Sequence, residues 1–353
     1  MRNKKLLIGL GIAVLAGFFI FFAGAQLLSA YYLKQGTTEF VKGDFVKAGP
    51  FFNRSLKFNS RNSEPHFYLG KIALGKVTET PGIDLLYPNA DYAGAATHFE
   101  KAIISGLERK NKNLYLITLN DAGFSYYILK QYEKSVPLFL KYIELNSVGA
   151  FTARYFVATD YFNRSNKPRE ALDILLPAIE PAAVNSSKIN EPNLFRVHIL
   201  LARLYYYFGD YANALKYTKL VTENNALSDK FLEVKIAHTL LALDYGRQKK
   251  FTLAESEIKK ASVSDCFLAT AYAIGENYSK AISIAEKTNQ IGGAYVDSFC
   301  PRVLAISYLA KGDKINAKKY MNDYLSVTEK FTQKDIFVMR NREQFASELL
   351  KLK

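Results

Sequence analysis

The sequence has little cysteine and histidine and no tryptophan. Two cysteines in 353 residues are too few for a disulfide framework, and they do not have the spacing of metal ligands. The four histidines lie outside any HExxH or CxxC context, so no structural zinc or metallohydrolase centre is predicted. GxSxG, phosphate-cradling glycine loops and paired-carboxylate motifs are also missing. The sequence therefore predicts neither an enzyme nor a cofactor.

Positive charge is in excess but is not concentrated in one stretch. Lys and Arg number 47 and Asp and Glu 33, which gives a net charge of +14. Such an excess is typical of proteins that bind nucleic acid, an anionic membrane, an anionic wall polymer or an acidic partner. Because no run of Lys or Arg is longer than two residues, we expect no dedicated nucleic-acid site.

Residues 1–33 are predicted to be a cytoplasmic tip and a transmembrane anchor. No charge occurs between Lys5 and Lys34, a gap of 28 residues, and a membrane-spanning helix needs about 20. The basic residues before Leu6 predict a cytoplasmic amino terminus and an extracytoplasmic remainder. No cysteine follows the segment, so a lipoprotein is excluded.

Two features of this segment leave alternatives open. Ala23-Gly24-Ala25 is a possible cleavage point of a signal peptide, although the apolar run before it is longer than is typical and hydrophobicity resumes after it. Gly9, Ala13 and Gly17 form a small-residue face that would let two anchors pack as a homodimer. The alternative is that they are ordinary small residues of a membrane helix.

The rest of the chain repeats one pattern of small and aromatic residues. In LLARLYYYFGDYANALKY, residues 200–217, Ala202 is followed by Tyr205, by Gly209-Asp210 and by Ala214. The first and last of these markers are 12 residues apart. The same offset occurs in seven copies, marked by Gly36/Ala48, Gly123/Ser135, Thr159/Ala171, Ala202/Ala214, Ala242/Ala254, Ala269/Ala281 and Ala305/Ala317. An eighth copy, Gly70/Ala95, is interrupted by about 13 extra residues.

This pattern resembles the tetratricopeptide repeat (TPR), a pair of antiparallel helices, A and B, that stacks into a right-handed superhelix. The resemblance implies an all-α, right-handed solenoid of about eight degenerate helix pairs with a capping helix. The small markers are expected where helices A and B cross, and Gly-Asp is expected to end helix A and cap helix B. The steps between copies depart from the family's 34 residues, so a regular superhelix is not required.

The predicted solenoid spans residues 34–330, and residues 331–353 are predicted to be its capping helix. Residues 76–89, which contain Pro and Gly, are predicted to protrude as an insertion loop. Residues 180–193 are predicted to be a linker or hinge. No linker follows the anchor, so we expect its helix to continue into, or abut, the first repeat.

The resemblance also implies a function, which is binding other proteins through the concave groove lined by A helices. Asp121 and Asp160, on A helices, are expected to be polar groove or surface residues rather than acids in a mechanism. The family's groove positions fall here on Asn120, Phe124, Tyr127, Phe156, Asp160, Asn163, Ile199, Arg203 and Tyr206.

Cys266 and Cys300 fall near the same end of helix A in consecutive copies. We expect two buried free thiols. Since adjacent A helices lie side by side, a disulfide in an oxidising compartment is the alternative.

Together these features predict a scaffold or adaptor anchored by one span in the inner membrane of a bacterium. Its solenoid would be extracytoplasmic, that is periplasmic, and would mediate protein–protein interactions in an envelope assembly. A secretion, pilus, flagellar-motor or outer-membrane biogenesis machine would fit. The alternative is a basic module that binds anionic wall polymer or lipid headgroups, whose affinity would collapse in salt.

Overall fold

The computed structural model describes residues 2–75, 89–180, 191–223, 232–289, 296–329 and 336–352. Within these ranges all regular secondary structure is helical, as the predicted all-α class requires. The chain divides into two compact units, Met1–Arg154 (unit 1) and Tyr155–Lys353 (unit 2). The right-handed superhelix and the predicted domain boundaries stay predictions.

Unit 1 is built from helix pairs joined by short turns. Its helices are α1 (Arg2–Val41), α2 (Phe45–Phe58), α3 (Ser63–Leu74), α4 (Tyr92–Ile104), α5 (Leu107–Lys110), α6 (Lys112–Ile128) and α7 (Tyr132–Leu145). The pairs are α1/α2, α3/α4 and α6/α7, and each contains one predicted marker pair. Helix α8 (Phe151–Asn163) crosses the boundary into unit 2.

Unit 2 continues the same arrangement. After α8 come α9 (Pro168–Leu175), a short 3-10 helix (Leu176–Ile179), α10 (Glu191–Phe208), α11 (Tyr211–Thr222), α12 (Leu232–Arg247), α13 (Phe251–Ala261), α14 (Asp265–Ile274), α15 (Tyr278–Asn289), α16 (Val296–Ala310), α17 (Lys314–Glu329) and α18 (Ile336–Lys351). The terminal helix α18 buries Phe345 edge-on against Tyr324 of α17, with ring centroids 5.2 Å apart.

Helix α1 is continuous from Arg2 to Val41. The segment predicted to be the anchor and helix A of the first copy are therefore one helix, as the absence of a linker predicted. Most of the predicted anchor, residues 1–21, lies outside the side chains that the structure describes, and so does the predicted homodimer face at Gly9, Ala13 and Gly17. Among the described residues, no helix combines the length and apolar character needed to cross a membrane.

Two other predicted segments also fall largely outside the description. The insertion loop at 76–89 is described only at Asn89, and the linker at 180–193 only at its two ends. Helix α10 already begins at Glu191.

The turns between paired helices share one backbone conformation. In seven copies the residue five positions before the helix B marker has a left-handed backbone conformation, with φ between 52° and 82°. These residues are Gly43, Lys130, Asn166, Gly209, Lys249, Glu276 and Gly312. Where this residue is glycine, the next residue is an aspartate whose side chain accepts a hydrogen bond from a backbone N–H of the first turn of helix B. The predicted Gly-Asp stop and cap is thus confirmed.

The paired helices approach closely at the predicted markers. In unit 1 each helix A marker is a glycine, and a phenylalanine ring from helix B occupies the space of its missing side chain. A methyl group on the glycine would come too close to that ring in every pair: Gly36–Phe52 (2.7 Å), Gly70–Phe99 (2.6 Å) and Gly123–Phe139 (2.9 Å). In the last pair the Ser135 hydroxyl also donates to the Gly123 carbonyl over 2.7 Å.

In unit 2 the helix A markers are Thr159 or alanine, and the residue four positions after the helix B marker is never aromatic. This residue is buried in every copy: Leu175, Thr218, Ile258, Ala285 and Met321.

The two cysteines are joined by a disulfide, so the expectation of free thiols is wrong. Cys266 of α14 and Cys300 of α16 have Cα atoms 5.1 Å apart, which is within the range of disulfides. Both residues are fully buried, as predicted. The bond connects the A helices of consecutive copies.

Candidate functional site

The predicted binding residues of unit 1 lie on α6, and most of them are buried. Asn120 and Phe124 are 1% and 2% exposed, and the Phe124 ring packs edge-on against Tyr92 of α4 at 6.0 Å. Tyr127 is half-buried and meets Tyr132 of α7 at 5.2 Å. In unit 1, Tyr127 is therefore the predicted residue with surface available to a partner.

Asp121, next to these residues, is fully buried and not part of a surface or groove. It forms an ion pair with Lys71 of α3, whose Nζ lies 2.9 Å from Oδ2, and Lys71 is itself buried. Burial raises the pKa of Asp121, while the nearby ammonium group opposes the rise. A charge pair with so little access to water is expensive to break, so Asp121 is a structural residue.

In unit 2, the predicted residues Phe156 and Asp160 of α8 are also buried, each 5% exposed. The Asp160 carboxylate is engaged at its own helix end, where Arg164 lies 3.0 Å away and the Ser165 hydroxyl donates over 2.8 Å. Asp160 is therefore not a surface residue, and its carboxylate is engaged by Arg164 and Ser165.

The predicted residues of α10 fall on one helix face, of which part is core. Ile199 is 4% exposed and packs with Phe195, Val221 and Val234. Arg203 and Tyr206 follow on the same face and are partly exposed. Side chains at these spacings project from one side of a helix.

Arg203 connects α10 with α8. Its guanidinium donates to the Asn163 side-chain oxygen over 3.3 Å and lies over the Phe162 ring, 5.2 Å from the centroid. Asn163 is partly exposed. The structure therefore brings together two predicted residues that lie 40 positions apart in the sequence.

A second cross-helix contact on this face was not predicted. Arg196 of α10 forms an ion pair with Glu233 of α12 at 3.1 Å, and both side chains are partly exposed, at 24% and 16%. Arg196 lies seven residues before Arg203, so it lies on the same helix face. That spacing was the signal in the sequence that could have identified it.

Tyr206 lies at the end of this face. Burial raises its pKa to about 12, so the hydroxyl is a neutral hydrogen-bonding group at any physiological pH. Its ring meets Tyr211 edge-on at 5.3 Å, and Arg247 lies over the other ring at 4.4 Å. Asp244 of α12, which accepts a hydrogen bond from Arg247 over 2.8 Å, lines a small cavity together with Tyr206.

We call this set of partly exposed side chains the polar strip of unit 2: Asn163, Arg196, Arg203, Tyr206 and Glu233. It takes one or more groups from each of α8, α10 and α12 and combines cationic, anionic, amide and phenol groups. Such a surface can recognise a protein segment by hydrogen bonds and aromatic contact. It holds no arrangement of a nucleophile with a base.

The structure also places two of the histidines next to each other. His66 of α3 and His98 of α4 have Nδ1 atoms 3.3 Å apart. Burial lowers the pKa of His66 to about 4 and also lowers the pKa of His98. Among the described residues, no group of three or more His, Cys, Asp or Glu side chains is placed to hold a metal ion.

The chain is built from helix pairs, and unit 2 carries the polar strip. No family model matches the chain, and no curated protein matches it. Among solved structures, it is similar to a tetratricopeptide repeat protein from Parabacteroides merdae, with 13% identity and a TM-score of 0.40 over 92% of this chain and 98% of that one. It is also similar to the P58(IPK) TPR domain, with 18% identity and a TM-score of 0.30 over 99% of this chain and 96% of that one. These similarities are too distant to carry an argument, so the helix-pair architecture rests on the packing within this chain.

Proposed function

We propose that this chain is a membrane-anchored scaffold that binds a protein segment through the polar strip of unit 2. The partner is an extended or helical segment that carries an acidic group. The scaffold holds or orders components of a bacterial envelope assembly, such as a secretion, pilus, flagellar-motor or outer-membrane biogenesis machine.

The observation that supports partner binding best is the bridge made by Arg203. The guanidinium is held in place by contacts that include the Asn163 amide and the Phe162 ring, and the side chain keeps partial access to solvent. A guanidinium fixed in this way can receive a carboxylate with little further loss of side-chain freedom. The neighbouring pair Arg196–Glu233 provides both signs of charge for a second contact.

The anchor is supported by the sequence of α1 together with its continuity. Residues 6–33 carry no charge, and they belong to the same unbroken helix as repeat one. A span of this length would fix the first helix pair against the bilayer without a tether.

The extracytoplasmic orientation is supported by the disulfide. Disulfides form and persist in oxidising compartments and are rare in the cytosol. The Cys266–Cys300 bond, buried inside unit 2, fits a unit that folds after export.

Partner binding is tested with a photo-crosslinking residue in place of Tyr206, benzoylphenylalanine, which keeps an aromatic ring at this position. We expect a discrete adduct in native membranes whose yield falls about ten-fold or more in an Arg203→Ala background, as for the loss of a charged anchor at an interface. Arg169→Ala is the matched control, because Arg169 also lies over a phenylalanine ring, that of Phe208, at 5.1 Å.

An adduct that Arg203→Ala leaves unchanged would show that the strip is not the binding face. An adduct to a polyanion that no longer forms when irradiation is carried out in 1 M salt would favour the alternative of a basic module for wall polymer or headgroups, because screening removes contacts between exposed charges.

The anchor and its orientation are tested separately. The chain should resist extraction from membranes at alkaline pH, and a protease should reach its carboxyl terminus from the extracytoplasmic side. Digestion from the cytoplasmic side alone would refute the exported orientation.

A further inference from the structure

The first helix pair brings the carboxyl end of α2 level with a defined position on α1. Asn59 donates its side-chain amide to the Gln26 side-chain oxygen over 2.8 Å. The Ser55 and Ser29 hydroxyls lie 2.9 Å apart, and the Asn62 amide donates to Ser29 over 3.3 Å. The last turn of α2 and the turn into α3 are therefore fixed beside residues 26–29 of α1.

That position lies inside the predicted anchor, at the point where a span of the minimum length would leave the hydrocarbon core. The uncharged run begins at Leu6, and twenty helical residues from there rise about 30 Å, which is the thickness of the hydrocarbon core. Gln26 is then the first residue at the depth of the lipid headgroups. Because Asn59 is hydrogen-bonded to Gln26, the end of α2 reaches the same depth.

The side chains exposed at this depth include aromatic and basic residues as well as Leu27 and Leu28. Tyr31 and Phe58 are 55% and 40% exposed, and Phe58 is supported from behind by the stacked ring of Tyr32, 5.7 Å away. Arg54, Lys57 and Arg61 are exposed as well. We call these five exposed residues the interfacial patch: Tyr31, Arg54, Lys57, Phe58 and Arg61.

Acidic side chains are missing from the sequence around the patch. Residues 45–63 contain four basic residues and no Asp or Glu. The first acid after them, Glu64, already has a cation beside it, with Lys110 Nζ 3.6 Å away. The patch therefore presents positive charge to whatever covers it.

We propose that the interfacial patch lies in the headgroup layer of a bilayer that contains anionic lipid. Repeat one is then held at the membrane by α2 as well as by α1. The inference rests on the proposed anchor, since α1 sets the depth of the patch. Aromatic rings with one wet edge favour this layer, and basic side chains near it are attracted by anionic lipid.

The absence of tryptophan makes a direct test possible. In Phe58→Trp the chain has a single indole, which keeps the aromatic character of the site. The full chain is reconstituted in vesicles of phosphatidylcholine and phosphatidylglycerol that contain lipid brominated near the interface. We expect the emission of this indole to shift to shorter wavelength and to be quenched at least two-fold.

Val46→Trp is the matched control, because Val46 is exposed on the same helix, 12 residues before Phe58 and hence about 18 Å away along its axis. We expect much weaker quenching there. Lys57→Trp is a second reporter in case Phe58→Trp does not fold, and its indole should be quenched to the same extent as that of Phe58→Trp.

The contribution of charge is tested by adding Arg54→Gln, Lys57→Gln and Arg61→Gln to the Phe58→Trp chain. We expect the extra quenching seen in anionic over neutral vesicles to fall by at least half. Quenching that does not depend on these residues or on lipid charge would overturn the anionic part of the proposal.

Flotation of the same vesicles at alkaline pH separates the two proposals. If the chain does not float, the anchor has failed. If it floats and the indole of Phe58→Trp is quenched no more than that of Val46→Trp, the interfacial patch has failed. The Phe58→Trp indole could instead be shielded from bromine, with emission that depends on the ratio of protein to lipid. This result would mean that a second copy of the chain covers the patch, and it would also refute the lipid assignment.

Discussion

The two units solve the same packing problem with opposite choices of side-chain size. In unit 1 the helix A marker is glycine and helix B supplies a buried phenylalanine, as in Gly123–Phe139. In unit 2 the marker is alanine or Thr159, and the buried residue four positions after the helix B marker, such as Thr218 in the copy marked by Ala202, is smaller than phenylalanine. In a close-packed interior a ring as large as phenylalanine fits at the helix crossing only where the marker has no side chain. The comparison teaches that a repeat marker is a property of two helices and not of one residue.

The units also differ in how they are cross-linked. Unit 1 has the buried ion pair Lys71–Asp121 between α3 and α6, and unit 2 has the disulfide Cys266–Cys300 between α14 and α16. Both link A helices of neighbouring copies. The predictions that follow act on one unit at a time, and hydrogen exchange measured by mass spectrometry on peptides from each unit reports which one responds.

The largest effect is expected from breaking the buried ion pair. Lys71→Met leaves the Asp121 carboxylate buried without its cation, which should cost about 3–5 kcal/mol and raise exchange in unit 1. The control in unit 2 is Lys249→Met, because Lys249 forms a similar pair with Glu276 at 2.8 Å in which both side chains are exposed, at 61% and 66%. No measurable change is expected there. Equal effects of the two variants would contradict the burial argument.

The next effect concerns the disulfide of unit 2. Replacing both cysteines by alanine removes a cross-link between positions 34 residues apart, which should lower the free energy of unfolding by about 2–4 kcal/mol. Faster exchange should appear in unit 2, and unit 1 should exchange as before. A wild-type chain kept in reductant should match the double variant, and a difference between them would mean that packing of the new side chains dominates.

Replacing a glycine marker of unit 1 by alanine is expected to change stability by a smaller amount. Gly123→Ala would favour the helix by about 1 kcal/mol in isolation, but its methyl would lie 2.9 Å from the Phe139 ring. Overpacking of a tight core costs about 1–3 kcal/mol, so we expect net destabilisation in urea unfolding. Adding Phe139→Leu to Gly123→Ala should recover part of the lost stability. As a control, adding Phe139→Leu to Ala202→Gly of unit 2 should recover none.

The smallest effect at neutral pH concerns the buried histidines. The pKa of His66 is lowered to about 4, mainly by burial, so the unfolded chain binds more protons between about pH 6.5 and 4. Stability of unit 1 is therefore complete above pH 6.5 and falls as the pH drops through this window, by on the order of 1 kcal/mol near pH 5.5. His66→Gln should flatten this slope in unit 1. His198, with its pKa also lowered to about 4 by burial, provides the matched variant for unit 2.

The helix pairs could be predicted because their determinants are local in sequence. Ala202, Gly209-Asp210 and Ala214 lie within 13 residues, and the left-handed turn, the cap and the helix crossing all depend on neighbours in that window. The phenylalanine four residues after each helix B marker of unit 1 was also present in the sequence, but only a structure shows that the Phe139 ring meets Gly123.

The candidate site was harder to predict because exposure depends on the neighbouring copy. Phe124 and Ile199 occupy positions that the family resemblance assigns to a groove, yet α4 covers the first and α11 and α12 cover the second. The Lys71–Asp121 pair joins residues 50 positions apart, and no local pattern links them. Binding by Arg203 and its neighbours remains a prediction for the experiments above.

The unbroken course of α1 has a mechanical consequence. At 40 residues the helix is about 60 Å long, and it has neither a proline nor a loop at which its two halves could rotate independently. A rotation of the amino-terminal half about the helix axis therefore turns the first repeat through the same angle, and a change in tilt moves that repeat as the end of a lever. A continuous helix of this kind would transmit rotation and tilt from the membrane to the first repeat. A flexible insertion after Lys34 would uncouple the two.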